Sequence, residues 1–186
     1  TRPVATTSNT HYDLIVIDTP PTRPLLLRLA LSATRWIIVP TRPGRTSIEG
    51  LRALASEIVV ARQTNPALEL LGAVLYDVEA GATVIRRNAT EDVVTVLGGA
   101  APMFTTVIRH ALSPVVESEE KGLLIHEVAE TVDKAEPYWK ALQEGRRPER
   151  VPGSAPALAE DFVLLTQEVL TTIDAREQAQ SAEATA

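Results

Sequence analysis

The stretch Tyr12-Asp13-Leu14-Ile15-Val16-Ile17-Asp18-Thr19-Pro20-Pro21 decides the fold class. Four consecutive apolar residues, mostly β-branched, lie between two carboxylates and end before a double proline. Such a run predicts a buried strand, and a strand that is apolar on both faces is typical of a parallel sheet covered by helices. Ligands of these sheets bind beyond the carboxyl ends of the strands, where Asp18 would lie.

Asp18 has two interpretations. An aspartate at a buried strand end costs free energy unless it is paired or holds a cation, which favours a ligand of Mg²⁺-bound phosphate. An Asp or Thr before a proline is also a common helix N-cap. The strand pattern leaves both interpretations open.

Composition excludes several classes of function. The 186 residues contain no cysteine, which rules out disulfides and thiolate chemistry and favours the cytoplasm over a secreted protein. The three histidines lack ligand spacing, and no apolar run is long enough to cross a membrane. The net charge of −6 is uneven: residues 1–112 carry +2 and residues 113–186 carry −8. A basic face on the first part is therefore compatible with an acidic protein.

Apolar periodicity predicts alternating strands and helices after the opening run. Proline, glycine and Asn65-Pro66 separate the segments. The predicted further strands are 35–40, 68–75 and 103–108, and the predicted helices are 22–33, 47–63 and 82–97. Residues 41–46 and 76–81 are predicted loops. This order predicts an α/β fold with a doubly wound, mostly parallel sheet and helices on both faces.

The second part of the chain gives weaker signals. Residues 109–114 are predicted to form a turn, and residues 133–156 an exposed, proline-rich excursion with one short helix around 138–143. A last helix is predicted at 158–173, followed by a flexible tail at 177–186. With residues 1–10 as a loop, residues 11–176 would form one domain.

Four segments together resemble the ParA-type partition ATPases, which are deviant P-loop ATPases related to MinD-like proteins. The first is the opening stretch, and the others have prolines and glycines where the family has them. They are Ile37 to Pro40 with Glu49-Gly50-Leu51, Asn65-Pro66 through Gly72, and Thr106-Val107-Ile108-Arg109 through Glu117, Lys121, Gly122 and Ile125. The likeness covers about residues 11–127 and the helix at 158–173.

The resemblance implies a site for ATP and Mg²⁺. It places Asp18 in the Mg²⁺ shell, through water, and assigns Thr19, Pro20 and Pro21 to a switch that senses the γ-phosphate. It places adenine near the loops that follow the third and fourth predicted strands. Those loops supply Tyr76, Asp77, Arg109 and His110, although Tyr76 could equally be an ordinary surface aromatic.

The resemblance also implies partners: non-specific DNA bound by an ATP-dependent homodimer, and a ParB-like centromere-binding protein that stimulates hydrolysis. Candidate DNA contacts are Arg86 and Arg87 on one predicted helix, with Arg42, Arg45 and Arg109 as a second group. An arginine pair on a polar helix face is equally compatible with solvated surface. The family's location would be cytoplasmic and nucleoid-associated, with no membrane attachment.

Two family features are missing from the sequence. These are the glycine-rich phosphate-binding loop with its lysines and the Asp-x-x-Gly segment that positions the attacking water. The chain is therefore expected to correspond to the C-terminal part of a ParA-like domain, incomplete at the N-terminus, or to be a degenerate relative. ATP hydrolysis would need the upstream loop. The alternatives are a MinD-like positioning ATPase, disfavoured because residues 177–186 lack bulky apolar and basic side chains, and a non-catalytic scaffold.

Overall fold

The computed structural model describes residues 12–19, 23–99, 102–147 and 151–185. Seven helices and three strands lie in these ranges. In chain order they are α1 (Pro24–Ala33), β1 (Trp36–Thr41), α2 (Arg45–Ala61), β2 (Glu69–Val78), α3 (Thr83–Leu97), β3 (Met103–Arg109), α4 (Leu112–Lys121), α5 (Ile125–Lys134), α6 (Tyr138–Gln143) and α7 (Ala155–Thr185).

The described strands form one parallel sheet in the order β1-β2-β3. Along the β2–β3 ladder, Ala73 donates to the carbonyl of Pro102, and His110 donates to the carbonyl of Val78. Both partners therefore advance in the same direction. A helix connects each strand to the next, as parallel pairing requires. The predicted α/β class is thus confirmed, with helices around a parallel sheet.

The chain forms two compact units. The first comprises the described residues up to Ala73 together with Arg87–Met103, and the second comprises Val74–Arg86 and the described residues from Phe104 onward. The first unit has an apolar core supplied by α1, β1, α2, β2 and α3. Its buried members are Leu31, Ile37, Val39, Leu51, Ile58, Leu68, Leu70, Ala73, Val93 and Leu97.

Polar contacts tie the helices of the first unit together. The Asn65 side chain donates to the carbonyls of Leu31, at 2.9 Å, and Thr34, at 2.7 Å. These carbonyls lie at the C-terminal end of α1, where no intrahelical partner is available. On the outer face, Arg28 of α1 forms a bidentate pair with Glu57 of α2. Asn65, which follows α2, therefore fixes the end of α1.

The second unit has its own helical core. α5 and α7 pack against each other through the buried residues Val128, Ala129 and Ala155. The short helix α6 lies where the sequence indicated it, and Arg146 pairs with both Glu136 and Glu144 beside it.

The opening stretch differs from its prediction. Residues 12–19 form no strand, and the side chains of residues 12–18 are exposed, including 84% of Val16. The prediction of a buried strand ending at Asp18 is therefore wrong for this structure. An apolar run is buried only where a neighbouring strand and covering helices are available, and no described residue provides a strand beside this one.

Several boundaries also differ. β2 continues through Tyr76 and Asp77, which were predicted to lie in a loop, and Arg45 begins α2 rather than belonging to the loop before it. Residues 112–121 and 125–134 form α4 and α5, in a stretch for which only a turn at 109–114 was predicted. α7 extends to Thr185, where a frayed end was expected, because its Ala, Gln and Glu residues are strong helix formers.

None of the helices in the described ranges has the length and apolar character that a membrane span requires.

Leu68 provides a test of the first unit's core, because only 1% of it is exposed. We expect Leu68→Ala to lower the free energy of unfolding by about 2–5 kcal/mol through lost burial and the cavity left behind. Urea denaturation followed by circular dichroism measures this change. Val59→Ala is the control: Val59 is 64% exposed, and its truncation should change stability by no more than about 0.5 kcal/mol. Equal losses in the two variants would contradict the assigned core.

Candidate functional site

Asp18 and Thr19 lie at the end of the first described segment. The Asp18 side chain is exposed, and Thr19 is half-buried. Pro20 and Pro21, which the resemblance assigns to the same switch, lie outside the described residues. Asp18 therefore presents an accessible carboxylate rather than one held at a buried strand end.

Four of the predicted site residues come together in the second unit, at the carboxyl ends of β2 and β3. We call Tyr76, Asp77, Arg109 and His110 the strand-end cluster. Asp77 and His110 form its centre: Asp77 Oδ1 lies 2.5 Å from His110 Nδ1. The backbone N–H of His110 donates to the Val78 carbonyl at 2.9 Å, which fixes the position of the ring.

Asp77 adopts an unusual backbone conformation. Its φ of 58° is the only positive value among the described non-glycine residues. Asp tolerates the left-handed region better than bulky residues do, and such conformations cost free energy unless nearby contacts compensate for them. The contact with His110 is one such compensation. The adjacent Tyr76 side chain is 37% exposed at the same end of β2.

Arg109 is held by a buried carboxylate of α7. Asp161 Oδ2 accepts hydrogen bonds from the Arg109 backbone N–H at 3.0 Å and from Nε at 2.7 Å, and Oδ1 accepts one from Nη2 at 2.7 Å. Burial favours the neutral acid, but the Arg109 side chain and backbone N–H together hold the pKa of Asp161 below its ordinary value. The same pairing raises the pKa of Arg109.

Glu168 makes a parallel contact farther back along β3. Its carboxylate accepts hydrogen bonds from the backbone N–H groups of Thr105, at 2.6 Å, and Thr106, at 2.9 Å, and from the Thr105 hydroxyl at 2.9 Å. Burial works against ionisation, yet these donors lower the pKa of Glu168 overall. β3 is an edge of the described sheet, so α7 satisfies backbone donors that an edge strand leaves open.

Sequence reasoning did not identify Asp161 or Glu168. They are seven residues apart, a spacing that places them on one face of a helix. That face also carries Leu158, which is 2% exposed, and Leu165, which is half-buried. Two carboxylates on the buried side of an otherwise apolar face are the signal that could have revealed them, because a buried carboxylate needs donors.

Apart from Arg109, the predicted DNA-contacting arginines are all exposed, but they differ in their contacts. On α3, Arg86 donates from Nη2 to the Thr105 carbonyl at 3.0 Å, so part of its hydrogen-bonding capacity stabilises β3. Arg87 lies 3.8 Å from Glu91 across one helical turn, and 69% of its side chain is exposed. Arg42 follows β1 and Arg45 begins α2, both in the first unit.

The described residues fit Mg²⁺ only as part of a phosphate complex. They contain no group of three or more acidic, His or Cys side chains that could hold a metal ion. A nucleotide-bound Mg²⁺ takes most of its ligands from phosphate and water and needs only one or two carboxylates. The exposed Asp18 carboxylate satisfies that requirement.

Acid should weaken the α7 contacts with β3. The pKa values of Asp161 and Glu168 are lowered in the folded protein. Their contribution to stability is therefore present above the pKa of an unfolded carboxyl, about 4, and is lost as the pH falls through the lower folded values. We expect Asp161→Asn to lack part of the acid-induced loss of unfolding free energy.

Urea denaturation from about pH 7 to about pH 3 measures this difference. Asp174→Asn is the matched control, since Asp174 is exposed on the same helix. This control should keep the wild-type pH profile. Parallel profiles for wild type and Asp161→Asn would contradict the assignment.

Parts of this chain are similar to a protein family and to two known proteins. The family described as "AAA domain" matches residues 4–70. The chromosome-partitioning ATPase Soj of Thermus thermophilus is 28% identical over 134 residues, covering 72% of this chain and 52% of Soj. Protein IncC of Escherichia coli is 34% identical over 73 residues, covering 39% of this chain and 20% of IncC.

Soj is a chromosome-partitioning ATPase, the class of protein that the sequence motifs resemble. The aligned part of the chain spans 52% of Soj and 20% of IncC. The chain is thus similar, over part of its length, to a chromosome-partitioning ATPase and to IncC.

Proposed function

We propose that this protein acts as a partition-type ATPase in the cytoplasm, with ATP hydrolysis depending on a phosphate-binding loop upstream of these residues. In this proposal an ATP- and Mg²⁺-bound dimer holds nucleoid DNA without sequence preference, and a ParB-like centromere-binding partner triggers its release. The observation that carries the proposal is the similarity to Soj over 72% of the chain. The parallel sheet with polar residues at its strand ends supports it.

The nucleotide part of the proposal uses two sets of residues. Asp18 would offer an oxygen ligand to a phosphate-bound Mg²⁺, and Thr19 and Pro20 follow it as the switch. The strand-end cluster offers the adenine contacts, at the end of a parallel sheet where α/β proteins bind ligands. ATP bound with Mg²⁺ supplies the charged group that links the two subunits, and hydrolysis removes it.

The DNA part of the proposal depends on α3. Arg87 is largely exposed at the N-terminal half of this helix. Phosphate recognition needs positive charge and reach rather than a fixed hydrogen-bond geometry. Arg86 contributes charge at the same place while bracing β3 through Thr105. Arg87 is therefore the cleaner residue to test, followed by Arg42 and Arg45 of the second group.

Asp18→Ala tests the Mg²⁺ assignment. We expect it to remove the Mg²⁺-dependent increase in ATP affinity, because phosphate-bound Mg²⁺ loses its protein ligand. Titration calorimetry with ATP, with and without Mg²⁺, measures the effect. Asp13→Ala is the matched control, since Asp13 is also exposed and lies in the same segment. Retained Mg²⁺ dependence in Asp18→Ala would remove this residue from the site.

Arg87→Glu tests the DNA contact. We expect weaker binding to duplexes of any sequence, and a slope of log affinity against log salt that is reduced in magnitude by about one. Fluorescence anisotropy at several salt concentrations, with ATP and Mg²⁺ present, measures both quantities. Arg52→Glu makes the same charge change at an exposed position on α2 and serves as control. Equal effects in the two variants would indicate only a change in overall charge.

A further inference from the structure

We propose that Asp161 is a positioning residue that fixes the Arg109 guanidinium as a stacking surface for the base of a bound nucleoside triphosphate. This inference rests on the proposed function, because it assumes that the strand-end cluster receives the base. It adds a residue of α7 that neither the motifs nor the resemblance indicates.

The Asp161 carboxylate is buried and makes several hydrogen bonds to Arg109. Only 9% of its side chain is exposed, and both of its oxygens are used. One hydrogen bond fixes the backbone at the end of β3, and two fix the side chain that leaves it. A planar guanidinium held through Nε and Nη2 loses its rotational freedom, so its orientation is set before any ligand arrives.

The pairing leaves Arg109 partly accessible. Its side chain is 41% exposed, although the Asp161 carboxylate opposite it is buried. Because Asp161 balances its charge, the Arg109 guanidinium would contact a ligand through its flat face and not mainly through its charge. Arginine planes stack on nucleobases in this way.

The turn after β3 is held from a second side as well. His110 contacts Asp77 through its ring and the Val78 carbonyl through its backbone N–H. Asp161 thus fixes the residue before His110 from α7, while β2 fixes His110 itself. A turn held at two successive residues presents the guanidinium plane and the imidazole ring in a defined arrangement, which lowers the ordering cost of binding a flat base.

Glu168 allows the positioning of Arg109 to be distinguished from the general attachment of α7 to β3. Its hydrogen bonds go to Thr105 and Thr106 and do not involve Arg109. Loss of Glu168 should loosen the middle of β3, whereas loss of Asp161 should release the guanidinium. Glu168→Gln and Asp161→Asn therefore distinguish general docking of the helix from positioning of Arg109, because only Asp161→Asn should change the contribution of the nucleoside to binding.

The experiment compares two probes, Mg²⁺–ATP and Mg²⁺–tripolyphosphate, by titration calorimetry with the full chain. The ratio of their affinities reports the contribution of the nucleoside. We expect Asp161→Asn to reduce this ratio about tenfold, since a charged hydrogen-bonded pair is lost while the phosphate contacts remain. Arg109→Lys, which keeps the charge but loses the plane, should reduce the ratio similarly. Asp174→Asn, on the exposed side of α7, should keep the wild-type ratio.

An unchanged ratio in folded Asp161→Asn and Arg109→Lys overturns this inference and leaves the proposed function standing. Wild-type protein that carries the upstream phosphate-binding loop and still binds neither probe overturns the proposed function and this inference with it. Hydrogen exchange on the wild-type protein provides a test that needs no variant. The amides of Thr105, Thr106 and Arg109 should be protected, and rapid exchange at Arg109 would also overturn the inference.

Discussion

Burial of β2 is the constraint on which the rest of the structure depends. β2 is the middle strand of the described sheet, and all of its residues from Leu70 to Leu75 are buried. A strand with no solvent-facing side must have pairing partners on both edges and apolar cover on both faces. The crossover helices α2 and α3 follow from this requirement, and so does the position of Asp77 at the strand's end.

The edge strand β3 meets a different constraint. Its backbone donors cannot all be satisfied by β2, and an unpaired row of N–H groups invites association with other chains. α7 resolves this with two carboxylates that accept hydrogen bonds from Thr105, Thr106 and Arg109. A helix thereby performs part of the hydrogen bonding of a further strand. The same contacts orient the side chain that leaves the end of β3, so edge protection and site geometry share one origin.

The sequence predicted the parts of the fold that depend on local pattern. β1, β2, β3, α2 and α3 follow from apolar runs and helical spacing between prolines and glycines. Residues 12–18 have an equally strong strand pattern, but a strand needs neighbours, and no described strand lies beside them. Asp161 escaped prediction for a related reason: its role is defined by Arg109, 52 residues away in the chain. Contacts over such distances have no local signature.

The left-handed backbone at Asp77 limits how this position can change in evolution. Only glycine, asparagine and aspartate adopt a φ near 58° at low cost, and of these glycine has no side chain to reach the imidazole of His110. Substitution at position 77 is thus confined to aspartate and asparagine, which can adopt this backbone conformation and also reach the His110 imidazole. Replacement of the histidine would relax that second restriction and admit glycine. The two positions should therefore vary together among descendants of this chain, although they are 33 residues apart.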